Sequence, residues 1–211
     1  MRNLALLTLL SLLAAPAFAD DQPFPGDQPP PAQAAPLDEP RAQEPAAPAQ
    51  SREERLDALF SQLKRERNEK AAERISRRIW DEWNQSGSAS VDLMMQWSQK
   101  AVEEQKYDVA LDFLDEVVTL SPAYAEGWNR RATLHFMMSN YAKSMSDIDH
   151  TLALEPRHFG ALSGMAQILK NTGRKELALQ AYQRVLDIYP MMRSAQNEVA
   201  TLSEELAGEG I

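Results

Sequence analysis

The sequence predicts an all-α solenoid of antiparallel helical hairpins. Three observations predict it. Prolines recur at Pro122, Pro156 and Pro190, each 34 residues from the next, and proline ends helices because it lacks a backbone N–H and its ring clashes with the preceding turn. The segments between these prolines are rich in alanine and other helix-forming residues. Residues of similar size also recur at matching places in each segment, which is typical of stacked repeats.

Residues 1–19 predict a secretory signal peptide. They carry a positive charge at Arg2, an apolar run from Leu4 to Ala15, and the sequence Ala-Phe-Ala at their end, which has the A-x-A form of a cleavage site. The apolar run is shorter than the ~20 residues that a membrane-spanning helix needs. We therefore expect cleavage after Ala19, release into the periplasm and no integral membrane span after cleavage. An uncleaved membrane anchor is the alternative.

Residues 20–50 predict a disordered, acidic, Pro/Ala-rich linker. Nine of the 13 prolines fall here, among alanine, glutamine, aspartate and glutamate. Such a composition buries too little apolar surface to offset the entropy lost on ordering. The segment is either a solvated tail or a spacer or recognition peptide.

The overall composition excludes two kinds of chemistry. The formal net charge is −9 and no strongly basic face is apparent, so we expect no nucleic-acid partner. The chain has no cysteine, so it can form no disulfide and its leader is not that of a lipoprotein.

Three units of one pattern cover residues 91–122, 125–156 and 159–190. Their eighth and twentieth places are all small, which lets the two helices of a hairpin approach closely. These small residues are Ser98, Ala110, Ala132, Ser144, Ala166 and Ala178. The twenty-fourth places are large and would fill the layer between hairpins: Leu114, Ile148 and Tyr182.

In these places the chain resembles the tetratricopeptide repeat (TPR) family. The residues that carry the resemblance are Ser98, Tyr107, Ala110, Pro122, Trp128, Ala132, Tyr141, Ile148, Pro156, Leu162, Ala166, Gly173, Ala178, Tyr182 and Pro190. The resemblance implies a right-handed superhelix whose concave face is lined by the first helix of each unit. Arg131 stands where an apolar residue is usual, and Val117, Thr151 and Val185 replace a customary alanine.

Helical segments flank the three units. Residues 51–88 predict a degenerate N-terminal hairpin. Its Trp80 and Trp83 are either core residues that pack the hairpin onto the array or part of a ligand cage. Residues 191–211 predict a C-terminal capping helix and tail, because a terminal repeat needs a polar outer side. Its apolar face would consist of Met192, Ala195, Val199, Leu202 and Leu206.

The resemblance also places a peptide-binding groove on the concave face. Its candidate residues are Met95, Gln99, Val102, Asn129, Thr133, Phe136, Met137, Gln167 and Lys170. Methionine adapts its shape to varied partners, and the amide side chains could hold a peptide backbone. The alternative is that Met95, Phe136 and Met137 only pack against neighbouring helices. We also expect Trp128 to lie in the core between helices.

TPR proteins that bind acidic chaperone tails use a clamp of lysine and asparagine side chains. The matching residues here are Met95, Gln99, Asn129, Gly160 and Gly164. Only Asn129 fits that clamp, so an apolar or amphipathic segment is the expected ligand.

The sequence gives no sign of catalysis, so we expect neither an enzyme nor a cofactor or metal site. His135 takes a place that is usual for a core residue, and we expect His150 and His158 to be exposed. Adjacent carboxylates such as Asp115 and Glu116 diverge by about 100° around a helix, so they cannot act as an acid/base pair.

These observations predict a periplasmic TPR adaptor that binds an envelope protein or peptide in its groove. The chain also resembles small exported TPR proteins of alphaproteobacteria that are associated with cell-envelope maintenance. We expect a monomer or a weak homo-oligomer. The alternative is a structural subunit of a larger envelope complex that docks through its outer face.

Overall fold

The computed structural model describes residues 51–209, which fold into nine helices without a strand. The predicted signal peptide and linker, and the last two residues, lie outside the described range. The helices are α1 Arg52–Arg65, α2 Glu69–Trp83, α3 Ala89–Glu103, α4 Tyr107–Leu120, α5 Ala125–Met137, α6 Tyr141–Leu154, α7 Phe159–Asn171, α8 Lys175–Ile188 and α9 Arg193–Glu209. The predicted all-α solenoid of helical hairpins is therefore confirmed.

The pairs α3–α4, α5–α6 and α7–α8 are the three repeated hairpins. Their second helices begin at Tyr107, Tyr141 and Lys175, so the predicted period of 34 is kept. Each of these helices ends two residues before a proline. The turn inside each hairpin places one residue at positive φ, and in the third hairpin that residue is Gly173, for which this conformation is free of strain.

The small residues lie where the two helices of each hairpin cross. Ala110, Ala132, Ala166 and Ala178 are at most 1% exposed. In the middle hairpin the Ser144 hydroxyl also donates a hydrogen bond of 2.7 Å to the Ala132 carbonyl. These contacts confirm the predicted role of the small places.

Arg131 occupies its unusual place by pairing with acids on two helices. Its guanidinium donates to both carboxylate oxygens of Asp147, at 2.8 and 2.7 Å, and to Asp115 at 2.8 Å. It also lies over the ring of Trp128, 4.9 Å from the centroid. Because Asp115 belongs to α4, this arginine replaces an apolar contact between units with an ionic one.

Trp128 was predicted to lie in the core, and that prediction is wrong. The side chain is only half-buried, its indole N–H donates to the Pro122 carbonyl at 2.9 Å, and its ring stacks on His150 at 4.3 Å. A hydrogen-bonded indole at the edge of the array satisfies its N–H without burial. His150 itself is exposed, as predicted.

The helices α1 and α2 form the predicted N-terminal hairpin. The Ser51 hydroxyl accepts from the Glu54 N–H while the Glu54 carboxylate accepts from the Ser51 N–H, which is a capping box that starts α1. Asn68 caps α2 by accepting from the Ala71 N–H. These local signals fix the helix starts.

This hairpin packs onto the array at the third unit, and not on the first unit that follows it in sequence. Its buried residues, including Leu59, Phe60 and Leu63, share one apolar core with Leu162 and Tyr182 of the third unit. It is held there because α1 and α2 offer an apolar face that matches α7 and α8, whereas contact with the first unit is slight.

Ion pairs fasten the edges of the same interface. Asp57 of α1 accepts from Arg157 at 2.6 Å, and Arg157 also lies over the Phe60 ring. Glu69 of α2 accepts from Arg193 of α9 at 2.9 Å. The N-terminal hairpin thus contacts the third unit and the start of the last helix.

The last helix covers the end of the array. Ala195 and Leu202 of α9 are buried in the same core as Tyr182 and Val185 of α8, and Val199 packs beside them. The apolar face of α9 is therefore turned toward the third hairpin, as an end-capping helix requires.

Candidate functional site

The inner faces of α3 and α5 enclose a groove of about 440 Å³. Its apolar lining comes from Val102, Leu114, Leu134 and Met137, and its polar lining includes Gln99, Asn129 and Thr133. Met137 is 45% exposed although it is apolar. The groove therefore combines accessible apolar surface with hydrogen-bonding groups.

The helix α2 closes one end of this groove. Trp80 and Asn84 contribute to its lining, and the Trp80 ring also lies on the inner face of α7. A Cβ added to Gly160 would lie 2.8 Å from Cη2 of Trp80, so only glycine leaves room for the indole there. The inner face at the start of the third unit is thus covered by the chain itself.

Arg130 organises the polar side of the groove. It donates to the Glu126 carboxylate at 2.6 Å, to Gln99 at 3.0 Å and to Asn84 at 3.1 Å. Asn129 also donates to Glu126, at 2.9 Å. One cation therefore links α2, α3 and α5, and its charge is largely offset by the buried carboxylate.

His158 was predicted to be exposed, but it is fully buried. It caps α7, because its Nδ1 accepts from the Ala161 N–H at 3.0 Å. Its Nε2 lies 3.2 Å from the Glu126 carboxylate and therefore donates to it. The rings of Trp80 and Trp83 enclose the imidazole, so the docked hairpin accounts for its burial.

Glu126 is the charged centre of this network. Burial opposes its ionised form, but the hydrogen bonds from His158 and Arg130, with the charge of the Arg130 guanidinium, outweigh that effect and lower the pKa of Glu126 below its ordinary value. A buried carboxylate with three hydrogen-bonding partners is a structural element of the groove wall. Breaking such a network by removing one partner is costly.

A smaller hollow of about 100 Å³ lies between α5 and α7. Phe136, Gln167 and the glycines Gly160 and Gly164 are among its lining residues. Phe136 is half-buried and packs on Tyr141, with ring centroids 5.6 Å apart. This hollow adjoins the main groove through residues common to both.

The structure brings together most of the residues that were predicted to line the groove. Gln99, Val102, Asn129, Thr133 and Met137 line the main groove, and Asn129, Thr133, Phe136 and Gln167 line the smaller hollow. Met95 lines an adjoining surface with Asp92 and Lys100. Their role in binding stays a prediction.

Two predicted groove residues are engaged within the chain. Lys170 forms an ion pair of 2.6 Å with Glu198 of α9, and Gln167 accepts from the Tyr182 hydroxyl at 3.2 Å. The polar end of the third unit is thus tied to the capping helix and to its own second helix. The first two units hold the more open part of the concave face.

Sequence reasoning missed Asn84 and Arg130 as groove residues, and it predicted for Trp80 either a core position or a ligand cage and not a place in this groove. Trp80 and Asn84 lie outside the repeats, and no spacing rule places them opposite α5. Arg130 directly follows Asn129, a predicted inward position, but its long side chain reaches the groove from a neighbouring place. A search for cations beside inward positions would have found it.

Within residues 51–209, no three or more histidines and acids lie together in a group that could hold a metal ion. Within the same range, every helix is too short or too polar to cross a membrane.

The repeated hairpins and the inner groove define a helical-repeat protein of the kind that binds other proteins. No family model matches the chain. A TPR repeat-containing protein of Rhizobium etli is 61% identical over 158 residues, which cover 75% of this chain and 78% of the relative. The chain therefore belongs to the TPR repeat family.

More distant matches agree with this assignment. The small glutamine-rich TPR-containing protein 2 of Saccharomyces cerevisiae is 27% identical over 117 residues, 56% of this chain, and the match spans only 34% of the yeast protein. The first TPR domain of Spaghetti (RPAP3), solved bound to the HSP90 peptide SRMEEVD, superposes with a TM-score of 0.53 and 26% identity. That match covers 56% of this chain and 93% of the solved domain.

Proposed function

We propose that this protein is a periplasmic TPR adaptor that binds a peptide segment or a protein of the cell envelope. The observation that carries the proposal is the groove of about 440 Å³ between α3 and α5, which is lined by both apolar and polar side chains. The similarity to a TPR domain solved with a bound peptide supports this use of the inner face.

The lining favours an apolar or amphipathic segment. Val102 and Met137 offer apolar surface, and methionine adapts to side chains of different shape. The volume lies within the ~300–1,000 Å³ of ordinary ligand pockets, so it admits a few side chains of a partner. The exposed Thr133 hydroxyl donates to the Asn129 carbonyl at 2.9 Å and can still accept a hydrogen bond from the backbone N–H of a segment that lies along the groove.

An acidic peptide tail fits this groove less well. Arg130 is a cation on its wall, but Glu126 is bonded to it at 2.6 Å and neutralises much of its charge. Asn129, which matches the clamp of chaperone-binding TPR domains, donates to the same carboxylate. The local charges therefore do not select a multiply charged anion.

The periplasmic location rests on residues 1–19. Their single positive charge, short apolar run and Ala-Phe-Ala end support export and cleavage. Fractionation of cells, with N-terminal sequencing of the purified protein, tests this part. Recovery from the cytoplasm with the leader intact would contradict it.

Photocrosslinking from Met137 in living cells, followed by mass spectrometry, tests the groove itself. The matched control places the same photoreactive residue at Leu177 of α8, which is 47% exposed compared with 45% for Met137. We expect a defined envelope protein to be captured from Met137 and not from Leu177. Capture from both positions alike, or from Leu177 alone, would favour docking of the outer face in a larger assembly.

A further inference from the structure

We propose that the first TPR unit carries a self-complementary face through which two copies of this chain form a two-fold dimer. The face consists of Leu93 and Trp97 on α3 with Val109 and Phe113 on α4, and we call it the leading face. Leu93, Trp97 and Val109 are each more than 40% exposed. The rings of Trp97 and Phe113 contact each other with centroids 5.5 Å apart.

The next two units show what normally covers the α3 positions of this face. Gly127 matches Leu93 in the second unit, and its Cα lies so close to α4 that an added Cβ would meet Val117 at 2.8 Å. Ala161 matches it in the third unit and is buried with Ile148 of α6. In both later units the residue that matches Leu93 is therefore covered by the second helix of the preceding unit.

The residues that match Trp97 in the later units also contact the preceding unit. In the second unit its place is taken by Arg131, which reaches back to Asp115 of α4 at 2.8 Å. In the third unit Met165 packs in the core that contains Ile148. In the first unit the place holds a large aromatic residue with nearly half of its surface exposed.

The chain supplies no helix for this face among its described residues. The hairpin α1–α2 would occupy it if it stacked as a preceding unit, but it shares its core with α7 and α8 instead. Among residues 51–209 the face is therefore uncovered, and a second copy of the chain offers an equivalent apolar face to cover it.

The charges around the leading face fit a second copy. Lys100 lies exposed on the α3 side, and Asp112 and Glu116 lie exposed on the α4 side. A two-fold axis parallel to the helices lays α3 of one copy on α4 of the other. That arrangement places the Trp97 rings at the centre and brings Lys100 of each copy toward Asp112 of the other, as an isologous interface requires.

This inference does not rest on the proposed adaptor function. The groove lies on the inner side of α3 and is lined by Gln99 and Val102, which differ from the residues of the leading face. Dimerisation therefore leaves the groove open and yields a bivalent adaptor. Failure of either proposal leaves the other standing.

Sedimentation velocity of the chain from Asp20, run over a dilution series, tests the dimer. We expect a monomer–dimer equilibrium that Trp97→Ser weakens by about tenfold or more, because central aromatic residues carry much of an interface's energy. Leu177→Ser, at an equally exposed leucine of α8, should leave it unchanged. A monomer at every concentration, or a dimer that Trp97→Ser leaves intact, overturns the proposal.

A charge exchange tests the two-fold arrangement. Lys100→Glu should weaken the dimer, and Lys100→Glu combined with Asp112→Lys should restore it. The chain has no cysteine, so Trp97→Cys can also report the interface through a single disulfide between copies. Loss of the dimer in the double variant, or capture of a different protein by Trp97→Cys in cells in place of a second copy, overturns the two-fold dimer.

Discussion

The indole ring of Trp83 stacks on the imidazole of His158, with centroids 4.0 Å apart and planes within 11°. Trp83 ends α2, and His158 caps the start of α7. The contact therefore joins the N-terminal hairpin to the third unit at the point where the Glu126 network is buried. Its position explains why one end of the concave face is closed.

Gly160→Ala should reduce the free energy of unfolding by about 1–2 kcal/mol. Overpacking costs about 1–3 kcal/mol and exceeds the ~0.5–1 kcal/mol that alanine gains over glycine in a helix. The clash arises because the new Cβ would lie 2.8 Å from Trp80, a partly buried ring that is held by contacts with Trp83, His158 and Phe159. Urea unfolding followed by circular dichroism measures the change.

Gly164→Ala is the matched control for that variant. A Cβ at Gly164 would lie 3.6 Å from Ile148, an ordinary contact, so stability should stay level or rise by up to about 1 kcal/mol. Equal changes in the free energy of unfolding for Gly160→Ala and Gly164→Ala would mean that Trp80 moves aside at little cost and that α2 packs only weakly on α7.

Ala132→Leu should destabilise the middle hairpin by about 1–3 kcal/mol, because its side chain would be inserted between two helices in contact. Ala132 is 1% exposed, and its carbonyl accepts the Ser144 hydrogen bond. Ala142→Leu on the exposed side of α6 is the control. If Ala132→Leu and Ala142→Leu had the same melting temperature, the crossing of the two helices would accommodate a large side chain at Ala132.

Met137→Ala should weaken binding of the captured partner by about 1–2 kcal/mol, roughly a five- to thirtyfold change. Stability should change little because Met137 is 45% exposed. Titration calorimetry with the partner measures the affinity, and Leu177→Ala is the control. Unaltered affinity in Met137→Ala would place the binding surface elsewhere.

Phe136→Ala should behave differently from Met137→Ala. Phe136 is half-buried against Tyr141, so its truncation should lower the free energy of unfolding as well as any binding. Comparing the unfolding midpoints of the two variants separates a packing residue from an accessible one. A Phe136→Ala protein as stable as the parent would show that this ring serves the groove alone.

Glu126→Gln should make the free energy of unfolding less dependent on pH in the acid range. The pKa of Glu126 in the folded protein lies below its ordinary value of 4.5, so its stabilising contribution is complete above that value and is lost as pH falls through the folded pKa. At neutral pH the substitution should cost about 1–3 kcal/mol, since Arg130 and His158 lose a charged acceptor. Unfolding between pH 3 and 7, with exposed Glu116→Gln as control, tests this prediction, and parallel curves for the parent and Glu126→Gln would contradict it.

The repeats could be predicted because their signals are local. Proline at Pro122, Pro156 and Pro190 marks where a chain must leave a helix, and alanine at Ala132 and Ala166 marks where two helices nearly touch. Both properties belong to single residues at a fixed period. The inner positions of α3 and α5 follow from the same phase, which is why most of the predicted groove residues share a surface.

The docking of α1–α2 could not be predicted in this way. The spacing of Leu56, Leu59 and Leu63 shows that one face of α1 is buried, but the leading face of the first unit and the inner side of the third were both apolar enough to receive it. The choice depends on shape, such as the room that Gly160 leaves for Trp80. His158 was mistaken for an exposed loop residue for the same reason.

The contact of α1–α2 with α7–α9 has a consequence for how the molecule opens. In a simple solenoid each repeat contacts only its neighbours, so the terminal repeats can unfold separately and the superhelix can extend. Here the pairs Asp57–Arg157 and Glu69–Arg193 tie early residues to late ones. The hairpin α7–α8 can therefore unfold only if the N-terminal hairpin α1–α2 is released from it. Unfolding becomes one cooperative transition, and folding is slowed because it depends on contacts that are distant in sequence.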